Sequence, residues 1–288
     1  MTFRHLTIFL EVCRERNMTK AAKNLFMTQP SVTQAIKELE EYYNVKLFDR
    51  IGKKITMNKE SYKLLPIAEN ILRLFKESKN IINENENYQI SIGTSITVGT
   101  YFITKINDIL KNYRNINAKY IVDNTNKIEE QLLNFKIDIG IVEGAIHSSN
   151  LVSHFVMKDE LGLVCSNKNN DFNGKVKIED LKNSKFIFRE EGSGTRELIE
   201  AVFLQNNVKV QKVANVNNIE AIKNMIINDI GISILPKISI QKELGLGLLK
   251  FIPINNKNFF REFSLVYHKD KIFNGKLEDL IKDLSEII

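Results

Sequence analysis

The sequence predicts an α+β protein built from more than one domain. Three observations support this fold class: helix-period apolar stripes over residues 1–43, a long helical pattern over residues 59–85, and alternating strand and helix patterns over residues 88–288. The 288-residue length suits roughly two domains, and the 43% hydrophobic content is enough for sizeable cores. The chain is therefore expected to be globular, with a helical N-terminal part and an α/β C-terminal part.

Two short helices are predicted within residues 17–43. Thr19 can cap the first, from about Lys20 to Phe26, because its hydroxyl can accept from a free backbone N–H. After a short break, Thr28 can cap the second helix, and Pro30 falls in its first turn, where a missing N–H costs nothing. The pattern thus indicates a helix, a tight turn and a second capped helix.

The second helix has one apolar and one polar side. Its apolar stripe recurs at three- and four-residue steps and is formed by Val32, Ala35, Ile36, Leu39 and Tyr43. Its other side and its N-terminal end present hydroxyls, amides and one amine, on Thr28, Gln29, Ser31, Thr33, Gln34 and Lys37. Such groups suit the reading of base edges and phosphates in a DNA major groove. An ordinary amphipathic helix with a solvated face is the alternative.

The order AA-x-x-L, T-Q-P-S-V-T-Q-x-I-x-x-L-E and V-K-L-F-D-R closely resembles the winged helix-turn-helix of LysR-type transcriptional regulators. The match is specific over residues 1 to about 60 and fits more loosely to the C-terminus. The resemblance implies a DNA-binding regulator that contacts double-stranded promoter DNA as a homodimer or homotetramer. It also implies control by a small effector bound in a C-terminal domain of periplasmic-binding-protein type.

A first helix and a hairpin complete the predicted N-terminal domain. The stripe of Leu6, Phe9, Leu10 and Cys13 predicts a helix between Thr2 and about Arg16. The pieces KLFDR and KKITM predict a two-stranded wing that carries Arg50, Lys53 and Lys54. In the resembled family this wing lies beside the minor groove or the backbone, so these cations are expected to hold phosphates. A basic surface hairpin without a partner is the alternative.

The charge of the chain is concentrated at the same end. The formal net charge is +6, and residues 1–58 hold ten Lys and Arg against six Asp and Glu, which is +4. This distribution supports an electrostatic footprint on phosphates.

Membrane, export, metal and disulfide functions are not indicated. No apolar run approaches about 18 residues and no secretory leader is recognisable, so a cytoplasmic location without membrane contact is expected. Cys13 and Cys165 lie far apart, and the four histidines are scattered, so plain thiols are expected and no metal site or cofactor.

A long helix is predicted from Lys59 to about Asn85, capped by Asn58 and about 40 Å long. It carries two apolar stripes: Tyr62, Leu65, Ala68, Leu72, Phe75 and Ile82 on one, and Leu64, Ile67, Ile71, Leu74 and Ile81 on the other. So much apolar surface predicts a partner helix, and the resemblance implies dimerisation through this linker. The chain departs from the family in having Asn58-Lys59-Glu60-Ser61 where Thr-x-Ala-Gly is usual, and Pro66 can add a kink.

The predicted domain borders follow from the polar joint NENENY at residues 83–88. The predicted domains are a DNA-binding domain at 1–58, a linker helix at 59–87 and an effector-binding domain at 88–288. The last would consist of two α/β lobes, about 88–160 with 264–288 and about 161–263. The chain is expected to cross between them near Glu160 and Phe263.

The segment EEGSGTRE, residues 190–197, is expected to bind an anion. Glycines flank Ser193, and Thr195 opens a helix whose free N–H groups favour negative charge. Arg196 could add charge or pair with Glu197 or Glu200. With a similar start in the other lobe, the candidate effector site comprises Ser95, Thr97, Ser193, Gly194, Thr195 and Arg196.

The resemblance places Thr97 where the family has an effector-contacting hydroxyl. Two hydroxyl-bearing helix starts facing one cleft would suit a small carboxylate or inorganic anion. Helix capping alone is the alternative. The GSGTR wording resembles the branch of the family that governs carbon dioxide fixation and sulfur assimilation.

An enzyme is not indicated. Ser193 lacks the G-x-S-x-G spacing of a nucleophile elbow, and the sequence has no G-x-x-x-x-G-K-[ST] phosphate loop. A solute-binding protein would explain two lobes but would leave the first 60 residues unexplained.

Overall fold

The structure is a computed structural model that describes residues 1–51, 54–82, 88–172, 174–255, 259–273 and 275–286. The chain divides into two compact units, Met1–Glu86 and Asn87–Ile288. Lys53 and the joint at residues 83–87 lie outside the described residues, and only the backbone of Arg50 and Lys54 is described. None of the described helices is long and apolar enough to cross a membrane.

The first unit contains four helices and a hairpin. They are α1 (Phe3–Glu15), α2 (Met18–Asn24), α3 (Gln29–Tyr43), β1 (Phe48–Ile51), β2 (Lys54–Met57) and α4 (Lys59–Ile82). The two strands pair antiparallel, as predicted for a wing. The predicted cap of α3 is confirmed, since the Thr28 hydroxyl accepts from the Ser31 N–H at 3.3 Å.

The predicted limits of α2 were wrong. The side chain of Asn17, rather than Thr19, caps this helix, because its Oδ1 accepts from the N–H groups of Thr19 and Lys20 at 2.9 and 3.0 Å. The helix also ends at Asn24, because Phe26 adopts a left-handed conformation with φ of 54°. Met18 is buried, so packing favours the earlier start.

The core of this unit includes part of α4. Leu64 and Ala68 are buried together with Leu6, Phe9 and Leu39 of the preceding helices. The sequence suggested that the apolar surface of α4 needs a partner helix. Part of that surface, Leu64 on one stripe and Ala68 on the other, is instead covered by the same chain. The start of α4 is nevertheless as predicted.

The cap of α4 also ties it to the hairpin. Asn58 Oδ1 accepts from the N–H groups of Glu60 and Ser61, both at 3.1 Å. The buried Ser61 hydroxyl donates to the carbonyl of Leu47. Ser61, which replaces the usual glycine, thus fixes the chain that leads into the wing.

The second unit alternates strands and helices. Its first elements are β3 (Tyr88–Ser95), α5 (Ile96–Tyr101), α6 (Ile103–Leu110), β4 (Ile116–Asp123), α7 (Thr125–Leu133), β5 (Ile139–Glu143) and β6 (Leu151–Ser166). Then follow β7 (Lys185–Arg189), α8 (Gly194–Gln205), β8 (Gln211–Val216), α9 (Ile219–Ile227), β9 (Ser233–Pro236), α10 (Gln241–Gly245), β10 (Leu249–Pro253), β11 (Phe260–His268) and α11 (Gly275–Ser285). Between β3 and β4 the chain forms two short helices, α5 and α6, which meet at Phe102.

Strands β6 and β11 join the two lobes. β3 pairs parallel with β4 and β5, and β11 pairs antiparallel with β5 and β6. After Glu160, β6 changes partners to β9 and β10. β11 begins to pair with β6 at Phe260, three residues before the expected crossing at Phe263. The four residues 159–160 and 260–261 therefore lie where the lobes meet.

Candidate functional site

The predicted DNA-reading side chains lie on one exposed side of α3. Gln29 donates from Nε2 to Thr33 Oγ1 at 2.7 Å, which holds these two side chains side by side. Gln34 donates to Glu38 at 2.9 Å. Thr28 and Ser31 share a hydroxyl hydrogen bond of 2.8 Å at the helix start. The first two turns therefore present an ordered row of amides and hydroxyls to solvent.

Beyond the first two turns of α3, the exposed side of the helix also carries the carboxylates of Glu38 and Glu41. The Lys37 ammonium lies 3.6 Å from Glu41, so its charge is partly offset. Hydrogen bonds from His5 and Gln34 lower the pKa of Glu38, which keeps that exposed carboxylate ionised. The part of α3 best suited to an approach to DNA is accordingly its start, around Gln29, and not its whole length.

Two of the predicted effector-site residues, Thr97 and Thr195, lie at the junction of the lobes. Both contact Arg261, a buried arginine that was not among the predicted residues. Arg261 binds Asp159 directly across β6 and β11, with Nε and Nη2 at 2.9 and 2.7 Å from Oδ2. Its Nη1 donates to Thr195 Oγ1 at 2.6 Å. The guanidinium is fully buried. Thr195 belongs to the second lobe, so one side chain fastens α8 to the crossing strands.

Thr97 and Glu143 of the first lobe surround the same guanidinium. The Thr97 hydroxyl lies 3.4 Å from Arg261 Nη1 and donates to Glu143 Oε1 at 3.3 Å. Glu143 Oε1 is itself 3.3 Å from Arg261 Nη1. The structure therefore brings the predicted Thr97 and Thr195 together, but through Arg261 and Glu143.

The other predicted residues have mixed roles. Ser95 caps α5, accepting from the Val98 N–H at 3.3 Å, which is the capping alternative. Gly194 packs so closely that a Cβ there would collide with the carbonyl oxygen of Glu143. Ser193 is buried and its hydroxyl does not cap α8. Gly194 thus lets the second lobe approach the first, and Ser193 is held at their contact.

Arg196 forms an ion pair with Glu200, which is one of the two roles expected for it. Its Nε donates to Glu200 at 2.7 Å and its Nη1 donates to the carbonyl of Arg189 at 3.2 Å. The guanidinium also lies 5.6 Å from the centre of the Phe188 ring. Its charge serves the second lobe and not the Thr97–Thr195 contact.

Asp159 is a buried carboxylate of the junction. Burial raises the pKa of Asp159, and the positive charge and hydrogen bonds of Arg261 oppose that rise. Removing this carboxylate from water is costly unless a cation accompanies it. Arg261 is accordingly the counter-ion on which the ionised form of Asp159 depends.

Further bonds bridge the lobes away from Arg261. His147, after β5, contacts Glu129 of its own lobe at 3.2 Å and Glu197 of α8 at 2.7 Å. Hydrogen bonds with Glu197 and then Glu129 raise the pKa of His147. The Asn126 N–H donates to the Gly192 carbonyl at 3.1 Å. These bonds therefore also connect the two lobes.

A cavity of about 340 Å³ opens beside this junction. Its lining includes Gly194 and Arg261, the carboxylate residues Glu197 and Glu262, and the apolar residues Leu198, Ala201 and Phe260. Leu198 and Ala201 follow Gly194 along one side of α8. A small molecule there could contact the start of α8, the guanidinium and an apolar wall at once.

The residues that sequence reasoning missed are Arg261, Glu143 and Asp159. One signal was available, because an arginine between phenylalanines in FFREF is a charge inside an apolar strand pattern. Charges in such positions are seldom buried unless they are paired. Among the described residues, no group of three or more His, Cys, Asp or Glu could hold a metal ion.

Two family models match the chain. Residues 83–286 match the LysR substrate binding domain, and residues 3–61 match the bacterial regulatory helix-turn-helix protein, lysR family. Together they cover most of both compact units. The sequence resemblance described above is thereby confirmed.

Curated relatives and solved structures agree over nearly the full length. The chain is 30% identical over 278 residues to the uncharacterized HTH-type transcriptional regulator YeiE of Escherichia coli K12, covering 96% of this chain and 94% of the relative. It is 28% identical over 297 residues to the probable RuBisCO transcriptional regulator of Phaeodactylum tricornutum, with 99% and 97% covered. The structure of full-length CbnR complexed with its target DNA is similar in fold, with a TM-score of 0.69, 19% identity and 98% of each chain covered.

Proposed function

This chain belongs to the LysR family of DNA-binding transcriptional regulators, and we propose that a small effector bound between its two lobes controls how it binds promoter DNA as an oligomer. The family and the matched relatives are regulators rather than enzymes. The observation that carries the proposal is the meeting of Thr97 and Thr195, from different lobes, on the single side chain of Arg261. Any molecule that alters this contact changes the balance between lobe arrangements.

The proposed DNA contacts begin at the start of α3. Gln29, Ser31, Thr33 and Gln34 would read bases, because their amides and hydroxyls form an ordered exposed row. Thr28, Lys37, Arg50, Lys53 and Lys54 would hold phosphates. CbnR, of similar fold, has been solved in complex with its target DNA, which supports this use of the N-terminal unit. The proposal places the protein in the cytoplasm, together with the chromosome.

The proposed dimer uses the side of α4 that its own unit leaves uncovered. Ile67 is 55% exposed and Leu74 is 38% exposed, seven residues apart on one face of the helix, and Ile71 between them packs partly against the core of its own unit. Apolar side chains at steps of four and three residues form a continuous seam that a second α4 can cover. Two N-terminal units would then bind two half-sites in tandem, and pairs of dimers would give a tetramer.

The proposed effector is a small molecule with an anionic group, such as a carboxylate. The first N–H groups of α8 favour negative charge, and Gly194 at that helix start lines the cavity, which is of small-ligand size. Thr195→Val keeps the shape of the side chain but removes the acceptor that Arg261 uses. This variant is expected to weaken the response to an effector.

Footprinting of the DNA upstream of the gene and of its divergent neighbour tests the proposal. A protected site with approximate two-fold symmetry is expected, and its pattern should change with at least one of sulfate, phosphate, an N-acetylated amino acid, a short dicarboxylate or a free amino acid. The same ligand should raise the melting temperature in a concentration-dependent way. A chain that protects no site under any of these conditions would contradict the proposal.

A further inference from the structure

Phe26, in the turn between α2 and α3, is a large apolar side chain that its own unit leaves in solvent. It is 98% exposed, whereas Leu25 and Met27 on either side of it pack partly against the core of that unit. Burying a phenylalanine ring is among the larger single contributions to folding, and Phe26 gains none of it within the unit. The ring therefore does not contribute to the core that the described residues form.

The backbone at Phe26 also disfavours an aromatic residue. Its φ of 54° lies in the left-handed region, which bulky side chains seldom adopt and which glycine or asparagine usually occupies after a helix. The N–H of Phe26 donates to the carbonyl of Lys23 at 3.2 Å. The N–H of Met27 donates to the carbonyl of Ala22 at 2.8 Å, so the turn is fixed on both sides. An exposed ring held in an unfavourable conformation points to a role outside folding.

The turn brings Phe26 close to the row of amides and hydroxyls at the start of α3. Gln29 is three residues further along the chain, so the Cα atoms of the two residues are at most about 11 Å apart. Successive base pairs of DNA are about 3.4 Å apart. The backbone of Phe26 accordingly lies within about three base pairs of any base that Gln29 contacts.

The surroundings of Phe26 suit a nucleic acid better than a second protein. Lys20 and Lys23 of α2 are exposed, and Lys23 precedes Phe26 by about one helical turn. Within the described residues 18–37, no other large apolar side chain is exposed. The core of a protein–protein interface is apolar and depleted of charge. A DNA surface instead offers phosphates to lysines, and thymine methyl groups and deoxyribose carbons to a single ring.

We propose that Phe26 is a further DNA-contacting residue, whose ring packs on a thymine methyl group or a deoxyribose at the edge of the site that α3 reads. Lys20 and Lys23 hold neighbouring phosphates in this arrangement. The inference rests on the proposed function, in which the start of α3 contacts promoter DNA. It adds an apolar contact to a row of side chains that is otherwise polar.

Phe26→Asn tests the contact in the full-length protein, with the operator that footprinting defines. Asparagine tolerates the left-handed conformation, so the melting temperature should be unchanged or higher. Operator affinity should nevertheless fall about five- to tenfold, because the ring is no longer buried on binding. Phe26→Tyr keeps the ring and should bind within about twofold of the original protein. Equal operator affinity of Phe26→Asn and the original protein overturns the inference.

Tyr42→Asn is the matched control. Tyr42 is 60% exposed and lies near the C-terminal end of α3, so the variant removes an exposed ring from the same helix but far from its start. Its operator affinity should stay within about twofold of that of the original protein. A loss as large as that of Phe26→Asn would show that exposed rings matter without a contact at the turn, and it would overturn the inference.

A photo-crosslink locates the ring. Under irradiation, p-benzoylphenylalanine substituted at Phe26 should form a covalent bond with operator DNA, and the same group substituted at Tyr42 should not. Crosslinking at Phe26 to a second protein chain alone overturns the inference. Uracil in place of single thymines then removes only a methyl group. A loss of affinity shown by the original protein but not by Phe26→Asn assigns the contact to that methyl group, and a DNA crosslink without such a loss assigns it to a deoxyribose.

The outcomes separate this inference from the proposed function. If Gln29→Ala weakens operator binding and Phe26→Asn does not, α3 reads DNA and only the inference about Phe26 is overturned. If the original protein protects no operator, the proposed function fails and the inference fails with it. A lower melting temperature in Phe26→Asn, together with no DNA crosslink at this position, would assign the ring to folding and overturn the inference.

Discussion

Arg261 and Thr195 are joined across the lobe junction by a hydrogen bond of 2.6 Å between Nη1 and Oγ1. The arginine lies on the strand that returns to the first lobe, and the threonine lies in the first turn of α8 in the second lobe. The same guanidinium neutralises Asp159. The arrangement of the lobes is therefore coupled to the burial of charge.

Arg261→Met should strongly destabilise the C-terminal unit. The methionine fills much of the same space but leaves two carboxylates buried without their cation, which costs about 3–5 kcal/mol of unfolding free energy. Urea unfolding at neutral pH measures the loss. Lys158→Met removes the cation of an exposed pair with Glu262, 3.7 Å apart, and should cost no more than about 1 kcal/mol. Equal losses in the two variants would contradict a special role for Arg261.

Local features of this junction could be predicted from the sequence, but its centre could not. The start of α8, expected at Thr195 and found at Gly194, and a hydroxyl-bearing start of α5 near Ser95 follow from glycines, hydroxyls and apolar spacing within a few residues. Asp159 and Arg261 are 102 positions apart and meet because β6 and β11 pair in one register. A single sequence contains no signal for that register.

Gln29→Ala should weaken specific DNA binding by about 1–3 kcal/mol and leave the salt dependence of binding unchanged. Its amide is fixed beside Thr33 and can reach a base edge, whereas it neutralises no phosphate. Titrations with an operator fragment and a scrambled fragment, at several salt concentrations, measure both effects. Gln241→Ala is the matched control, because this exposed glutamine lies in the C-terminal unit. Unchanged discrimination between the two fragments would show that α3 does not read bases through Gln29.

The linker helix shows how tertiary packing changes a sequence-based expectation. Leu72 and Phe75 both lie on the first of the two apolar stripes from which a partner helix was expected, but Leu72 packs against the core of its own unit. Phe75 stacks on Phe3, with ring centres 4.2 Å apart. Helical spacing identifies an apolar stripe but does not say whether the same chain or another covers it.

The double substitution Ile67→Glu with Leu74→Glu should accordingly produce a monomer. Both side chains are exposed in the single chain, so glutamate is tolerated there, but two charges in an apolar seam would prevent a second α4 from covering it. Operator affinity should fall sharply, because half-sites would no longer be bound in tandem. Light scattering gives the mass, and Tyr62→Glu, which adds a charge at an exposed position on another face of α4, should remain oligomeric. A double variant that stays dimeric would move the interface away from α4.

His147 should make the stability of the C-terminal unit depend on pH above neutrality. Its pKa in the folded protein is raised by Glu197 and Glu129, so folding favours the protonated ring. This stabilisation is complete below about pH 6.5, the ordinary pKa of histidine, and is lost as the pH rises through the raised value. The side chains of His147 and Glu197 are about half exposed, so the effect should be modest and should weaken with added salt.

Melting temperatures measured from about pH 6 to pH 9 separate this contribution from other titrations. The original protein should lose stability relative to His147→Gln over that range, because the glutamine keeps a polar group beside Glu197 but carries no titrating charge. His154→Gln is the control, since His154 contacts the Tyr267 hydroxyl at 3.0 Å. Its pH profile should follow that of the original protein. If His147→Gln shows the same pH dependence as the original protein, the bond between His147 and Glu197 does not hold the lobes together through the charge of the histidine.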